Sequence, residues 1–217
     1  RESLGLLYAM HWPNRQYETA RDIRHGPLHK EFLAKNAVMG ELGGWERPNW
    51  YARGVKPEYQ YTYGKPNWFP GCAEECQSIR NDVALIDQAS YPVYNVKGPD
   101  ALTLLNYISA NNMDVSPGQI VYTQWLNVRG GIEADVTVTR IAVDEFMVVS
   151  ACASELRDFY WLQKHAVNYH VTVDNRTEQT FMLGIMGPKS RGLLSRIARQ
   201  DVSDSMLPYY KSHFFEE

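Results

Sequence analysis

The sequence is poor in cysteine: Cys72, Cys76 and Cys152 are its only three. So small and odd a number excludes a disulfide scaffold and points to a reducing compartment. It lacks a basic surplus. A net charge of -3 argues against nucleic acid as a partner, because phosphate binding needs a concentrated cationic face. It also lacks any apolar run near the ~18 residues that a membrane-spanning helix requires, and no secretory leader is visible. No metal site is expected. Cys72 and Cys76 lie four apart with no second Cys or His pair nearby, so helix packing is the favoured reading. His25 and His29, in RHGPLH, have no HExxH-type base between them and are interrupted by Pro27. There is no initiator Met before Arg-Glu-Ser, and HFFEE follows a predicted helix directly. Both features lead us to expect an excerpt of a longer polypeptide.

What is present falls into two parts. Residues 1–70 carry Trp12, Trp45, Trp50 and Trp68 together with six prolines. Prolines this frequent break long helices and favour extended or turning chain. One short helix is expected over 27–35, with Pro27 in its first turn. RPNWY (47–51) and KPNWF (65–69) nearly repeat, and both are read as turns anchoring a Trp. From residue 71 the pattern regularises. Helices are expected over 71–87, 100–109, 154–166 and 189–199, the third capped by Ser154. Strands are expected over 92–97, 119–127, 132–141, 145–150, 170–175 and 180–187. The sequence VRGG (128–131) joins the second and third of these as a hairpin, since glycines suit the positive φ that such turns need. This order of elements predicts an α+β fold with mixed or antiparallel sheets and flanking helices. LGIMGPKSRGLL has a strand–turn–helix outline but lacks G-x-G-x-x-G and the P-loop lysine, so it is a weak phosphate site.

The hairpin holds the sharpest question. In LNVRGGIEADVTVTR, Ile132, Ala134, Val136 and Val138 take one face of a strand, and Glu133, Asp135, Thr137 and Thr139 the other. Asp is a poor strand former. The two carboxylates are either a wet face or a site, and composition does not choose between them.

A resemblance bears on that choice. YTQWLNVRGGIEADVTVTR (122–140) resembles the signature of the folate-binding, aminomethyltransferase-like half of sarcosine and dimethylglycine dehydrogenases, a module shared with the glycine-cleavage T-protein. RHGPLHKEF, GGWERPNWYARG, SANNMDVSPGQIVYTQ and MGPKSRGLL extend the match, in order, along nearly the whole chain. The resemblance implies a T-protein-like folate-binding fold, present only in part. It implies that 1–70 is a joining segment from the flavin half and that 71–217 is the N-terminal part of the folate-binding domain. The parent would be a flavin-dependent N-methylamine dehydrogenase, of sarcosine or dimethylglycine type. Its FAD domain, absent here, would pass an imine to tetrahydrofolate, giving 5,10-methylenetetrahydrofolate. The family's catalytic acid falls on Asp135, with Glu133 a supporting or solvated neighbour. The family's pterin contacts fall on Tyr122, Met147 and Val149. One departure is Ala151, where the T-protein has an Asn that meets the pterin, and a later family glutamate lies beyond Glu217. Expected partners are the folate, the amine-derived imine and the flavin domain of the same polypeptide, with no nucleic acid and no membrane. The compartment would be cytoplasm in a bacterium or mitochondrial matrix in a eukaryote. The alternatives are a non-catalytic relative, like the regulatory protein of pyruvate dehydrogenase phosphatase, a stand-alone aminomethyltransferase, or a purely structural module that docks a flavin domain.

Overall fold

The computed structural model describes residues 1–215. In chain order the elements are α1 (Glu2–Leu6), β1 (Arg24–His25), α2 (His29–Ala34), β2 (Ala37–Leu42), β3 (Trp45–Tyr51), α3 (Phe69–Asn81), β4 (Ala84–Asp87), β5 (Val93–Lys97) and α4 (Ala101–Ile108). They continue with β6 (Ile120–Leu126), β7 (Ile132–Ala142), β8 (Glu145–Val149), α5 (Glu155–Ala166), β9 (Thr172–Asn175), β10 (Leu183–Met186) and α6 (Ser190–Ala198). The chain divides into two compact units, one of Arg1–Ser90 with Phe181–Ser190, the other of Tyr91–Thr180 with the chain from Arg191 onward.

The second unit is built on one sheet in the order β6-β7-β8-β5-β9, antiparallel throughout. Alternation puts Tyr94, Val96, Trp125, Ala134, Val136, Val138, Phe146 and Val148 on one face, each at most 4% exposed. Helix α4 supplies Ala101, Leu104, Leu105 and Ile108 to the same cluster, and α5 supplies Leu162. Truncating a leucine as buried as Leu104 costs about 2–5 kcal/mol. Gly98 enters α4 at φ +144°, where a Cβ would stand 2.2 Å from the His170 carbonyl oxygen, so only glycine fits that junction.

One edge of the sheet, β6, is covered. Along β6, the Ile120 amide donates to the Tyr210 carbonyl, the Ala110 amide donates to the Gln124 carbonyl, and the Asn111 side-chain amide donates to the Tyr122 carbonyl. These bonds occupy backbone groups that would otherwise template another strand.

The first unit contains a three-stranded sheet, β1-β3-β2, and the antiparallel pair β4–β10. Gly43 and Gly44, at φ +61° and +83°, make the two-residue turn of the β2–β3 hairpin. Trp50 is 2% exposed and packs with Val38 and Ala52, flanked by Tyr59, Trp68 and Cys72. Trp45 lies under the Arg24 guanidinium at 4.4 Å.

Three sequence expectations are corrected. RPNWY is strand β3, not a turn. Its Pro48 is tolerated because β3 pairs with β2 through a bulge between Val38 and Met39. The helix expected over 71–87 stops at Asn81. Asp82 leaves helical geometry at φ -138°, ψ -121°, and its carbonyl accepts the Lys189 amide, so the remaining residues pair with β10 as β4. Ser154 does occupy the N-cap position of α5, but its side chain makes no capping bond.

Candidate functional site

The hairpin turn is organised by Asn127. Its side-chain oxygen accepts the amides of Arg129 (2.9 Å) and Gly131 (3.0 Å), and its amide donates to Glu133 at 2.8 Å. Gly130 takes φ +77°, which an L side chain rarely adopts. The register also shifts between Trp125 and Leu126, so Trp125 pairs with Ala134 and Leu126 with Ile132. This bulge resets the alternation at the strand's start. Ile132 is therefore 68% exposed, although the simple pattern puts it in the core. Glu133 is half-buried and lines a cavity of about 400 Å³ with Tyr107, Trp161 and His165.

Asp135 sits past the bulge, on the sheet face away from the core. Its two oxygens are both engaged. The Tyr122 hydroxyl donates to Oδ2 at 2.6 Å, and the Gln124 side-chain amide donates to Oδ1 at 3.0 Å. The hydrogen bond to Asp135 is the main reason the Tyr122 phenol titrates above its ordinary range, with desolvation adding to it. Asp135 remains exposed. The carboxylate is thus held by neutral donors while open to solvent, which leaves its charge available to a ligand.

The register brings the other expected site residues to the same face. Tyr122, Thr137, Val149 and Val93 form one row across four strands. Ile120, Thr139, Met147 and Asn95 form the next. Gln124 and Asp135 begin a third row. Extending the register two residues past Val149 brings Ala151, in extended backbone, level with Asp135 on its other side. Met147 and Val149 are half-buried and Tyr122 is 47% exposed. A cavity of about 660 Å³, lined by Asn111, Ser116, Gln119, Tyr122 and Tyr210, adjoins this face along β6. Sequence reasoning missed Gln124. Its signal was position: it lies two residues after Tyr122 on a strand and therefore shares its face.

No group of His, Cys, Asp or Glu suited to a metal ion is found among the described residues. The rings of His25 and His29 stack at 4.6 Å, and both lie near Asp22. Cys72 packs against the cluster of Val38, Trp50 and Ala52, while Cys76 is exposed. At the Gly187 turn, a Cβ would meet the Asp82 carbonyl at 2.3 Å, and the Lys189 amide is spent on that same carbonyl. The turn closes on its own chain instead of cradling an anion. No helix among the described residues is long and apolar enough to cross a membrane.

The chain is 42% identical over its whole length to 4-methylaminobutanoate oxidase (formaldehyde-forming) of Paenarthrobacter nicotinovorans, of which it covers 26%. It is 28% identical, over 98% of its length, to human mitochondrial dimethylglycine dehydrogenase, of which it covers 25%. The chain thus spans about a quarter of these relatives. Among solved structures, the glycine cleavage system aminomethyltransferase T of Bartonella henselae superposes on 90% of the chain and 48% of its own, with a TM-score of 0.74 at 23% identity, which identifies the fold. Residues 28–216 match the GCVT N-terminal domain, and the chain belongs to that family.

Proposed function

We propose that this chain is the front part of the folate-binding half of a flavin-dependent N-methylamine dehydrogenase, with Asp135 as its working carboxylate. One observation carries the reading: an exposed carboxylate, fixed by Tyr122 and Gln124, on the same sheet face as Tyr122, Met147 and Val149. The chemistry of that face suits a reduced folate. A flat, partly reduced pterin needs apolar surface on one side and an acceptor for its N–H groups, and the half-buried Val149 and Met147, one and two rows along the same face from Asp135, offer the first while Asp135 offers the second. Bound reduced folate supplies nitrogens that accept a one-carbon unit.

The residues of this chain then have distinct tasks. Asp135 accepts a hydrogen bond from the ligand, stabilises positive charge on an arriving iminium, and takes up or returns a proton at a ligand nitrogen. Tyr122 holds Oδ2 and presents its ring to the ligand. Met147 and Val149 exclude water from one side of the flat ring. Ala151 offers no side-chain hydrogen bond, so recognition on that flank falls to the backbone. In this reading residues 1–70 join the flavin half to this one, and residues 71–217 open the folate-binding domain. FAD is held elsewhere in the same polypeptide, which is also the partner that delivers the imine. The substrate is an N-methylated amine of the sarcosine or dimethylglycine type. The protein works in the bacterial cytoplasm or the mitochondrial matrix.

Calorimetric titration of the full-length protein with a reduced folate tests the reading. Wild type should bind saturably, and Asp135→Ala should weaken binding about ten-fold or more, ~1.4 kcal/mol. The same variant should leave amine oxidation nearly intact and abolish folate-coupled product formation. Asp135→Asn should keep part of the binding, since it preserves shape and loses charge. Absence of binding in wild type would overturn the proposal in favour of a regulatory or structural role.

A further inference from the structure

Among the described residues, the side-chain donors to Asp135 come from one side. In its row across the sheet, Gln124 lies on the β6 side and donates to Oδ1, whereas the pairing with β8 ends one row earlier, at Thr137 and Val149. Tyr122, one row away on β6, donates to Oδ2. Both side-chain donors to Asp135 therefore come from β6, two residues apart on one strand, and each takes a different oxygen.

We propose that Gln124 is a positioning residue for Asp135. Together with Tyr122 it fixes the plane of the carboxylate and turns its open edge toward the β8 side, where a ligand N–H would be received. The inference rests on the folate-binding reading for what that ligand is, though the clamp itself does not depend on it.

The physical case is rotational. An exposed Asp on a strand has a broad χ2 distribution, so a single donor leaves the carboxylate free to swing. Two neutral donors on different oxygens remove that freedom without neutralising the charge. A charged donor such as arginine would fix the plane equally well but would cancel the field that a cationic ligand should meet. Gln124 serves because its side chain reaches across one strand spacing from the same face. Asn at the same position would be a methylene too short.

The shapes of Gln, Leu and Glu are close, so their rank order separates a clamp from mere surface occupancy. Gln124→Leu removes the donor. Gln124→Glu keeps the shape but sets a second carboxylate directly opposite the first. In the full-length protein, titrated with a reduced folate, wild type should bind most tightly. Gln124→Leu should bind about ten-fold more weakly, and Gln124→Glu more weakly still.

A second readout needs no folate. A fluorotyrosine placed at position 122 is titrated by fluorine NMR. The groups facing it are Asp135, which raises its midpoint, Gln124, which lowers it, and Tyr210, which raises it. Gln124→Leu should move the midpoint upward, because the phenol loses the Gln124 hydrogen bond that lowers it and Asp135 then leans on Tyr122 alone. An unchanged midpoint in Gln124→Leu overturns the clamp, whatever the binding data. So does equal folate binding by the Gln, Leu and Glu forms. If wild type binds no folate, the functional reading fails while the fluorine titration still decides the clamp.

Discussion

Glu46 and Asp135 are both strand carboxylates held at both oxygens, and they end in opposite states. Glu46, on β3, is 4% exposed and receives Arg21 in a two-point grip, Nε to Oε1 at 2.6 Å and Nη2 to Oε2 at 2.5 Å, with the Asp22 amide adding a third bond. Its charge is answered by charge, and water is excluded. Asp135 is exposed and answered only by a phenol and an amide. A carboxylate paired with arginine in the interior has no charge left to offer, whereas one held by neutral donors at the surface is fixed in place and still negative. The donor type, more than burial or the number of hydrogen bonds, separates the structural acid from the candidate functional one.

The largest expected effect tests the closed half of this comparison. Arg21→Ala strands a buried carboxylate and should destabilise the protein by about 3 kcal/mol in equilibrium denaturation. Replacing both partners, as Arg21→Met with Glu46→Leu, should cost clearly less than the single change, because no charge is left buried. A double variant as unstable as Arg21→Ala would mean that packing around the pair, not its charge, was being measured. Asp135→Ala should behave in the opposite way. Its effect on stability should stay within about 0.5 kcal/mol, as for an exposed position. A loss as large as that of Arg21→Ala would return Asp135 to the structural class.

Much of this was legible in the sequence. The five strands of the second unit and helices α4 and α5 follow from alternation and helical periodicity, because their apolar positions repeat without interruption. The resemblance, not periodicity, joins Tyr122, Met147 and Val149 to Asp135, and the register places the four on one face. The exceptions have local causes. The bulge at Trp125/Leu126 adds one residue, and a period of two cannot anticipate where that happens, so Ile132 and Glu133 were given the wrong surroundings. The β2–β3 hairpin is masked by its prolines and tryptophans, although Gly43-Gly44 between Leu42 and Trp45 is a strong two-residue turn signal. Strand β4 was absorbed into the preceding helix because its partner, β10, lies about a hundred residues away, and only tertiary pairing distinguishes ALID as strand.

An intermediate effect addresses the open half. The Tyr122 phenol is held above its ordinary range chiefly by its bond to Asp135. Asp135→Asn removes the charge and should bring the Tyr122 midpoint down, as followed by fluorotyrosine at that position. A midpoint that stays high would assign the shift to burial instead and would weaken the picture of a charge left available on this face.

The smallest effect concerns a third carboxylate, Glu75 on α3, which extends the comparison to an acid with no charged donor and partial burial. It accepts the Tyr51 amide at 3.0 Å, and burial raises its carboxyl above the usual range. Arg21 holds Glu46 below that range. The two make opposite contributions as pH changes. For Glu46, stability is present above the unfolded carboxylate's pKa and is lost as pH falls through the depressed folded value. For Glu75, it is present below the unfolded value and is lost as pH rises through the elevated one. Glu46→Gln should therefore be destabilising at pH 7, with a deficit that shrinks in acid. Glu75→Gln should be slightly stabilising at pH 7, with a gain that vanishes in acid. Denaturation midpoints of the two variants, measured from pH 7 down to about pH 3, should converge on wild type from opposite sides. Parallel curves would show that the arginine is not what separates the two acids, and the distinction drawn between Glu46 and Asp135 would lose its basis.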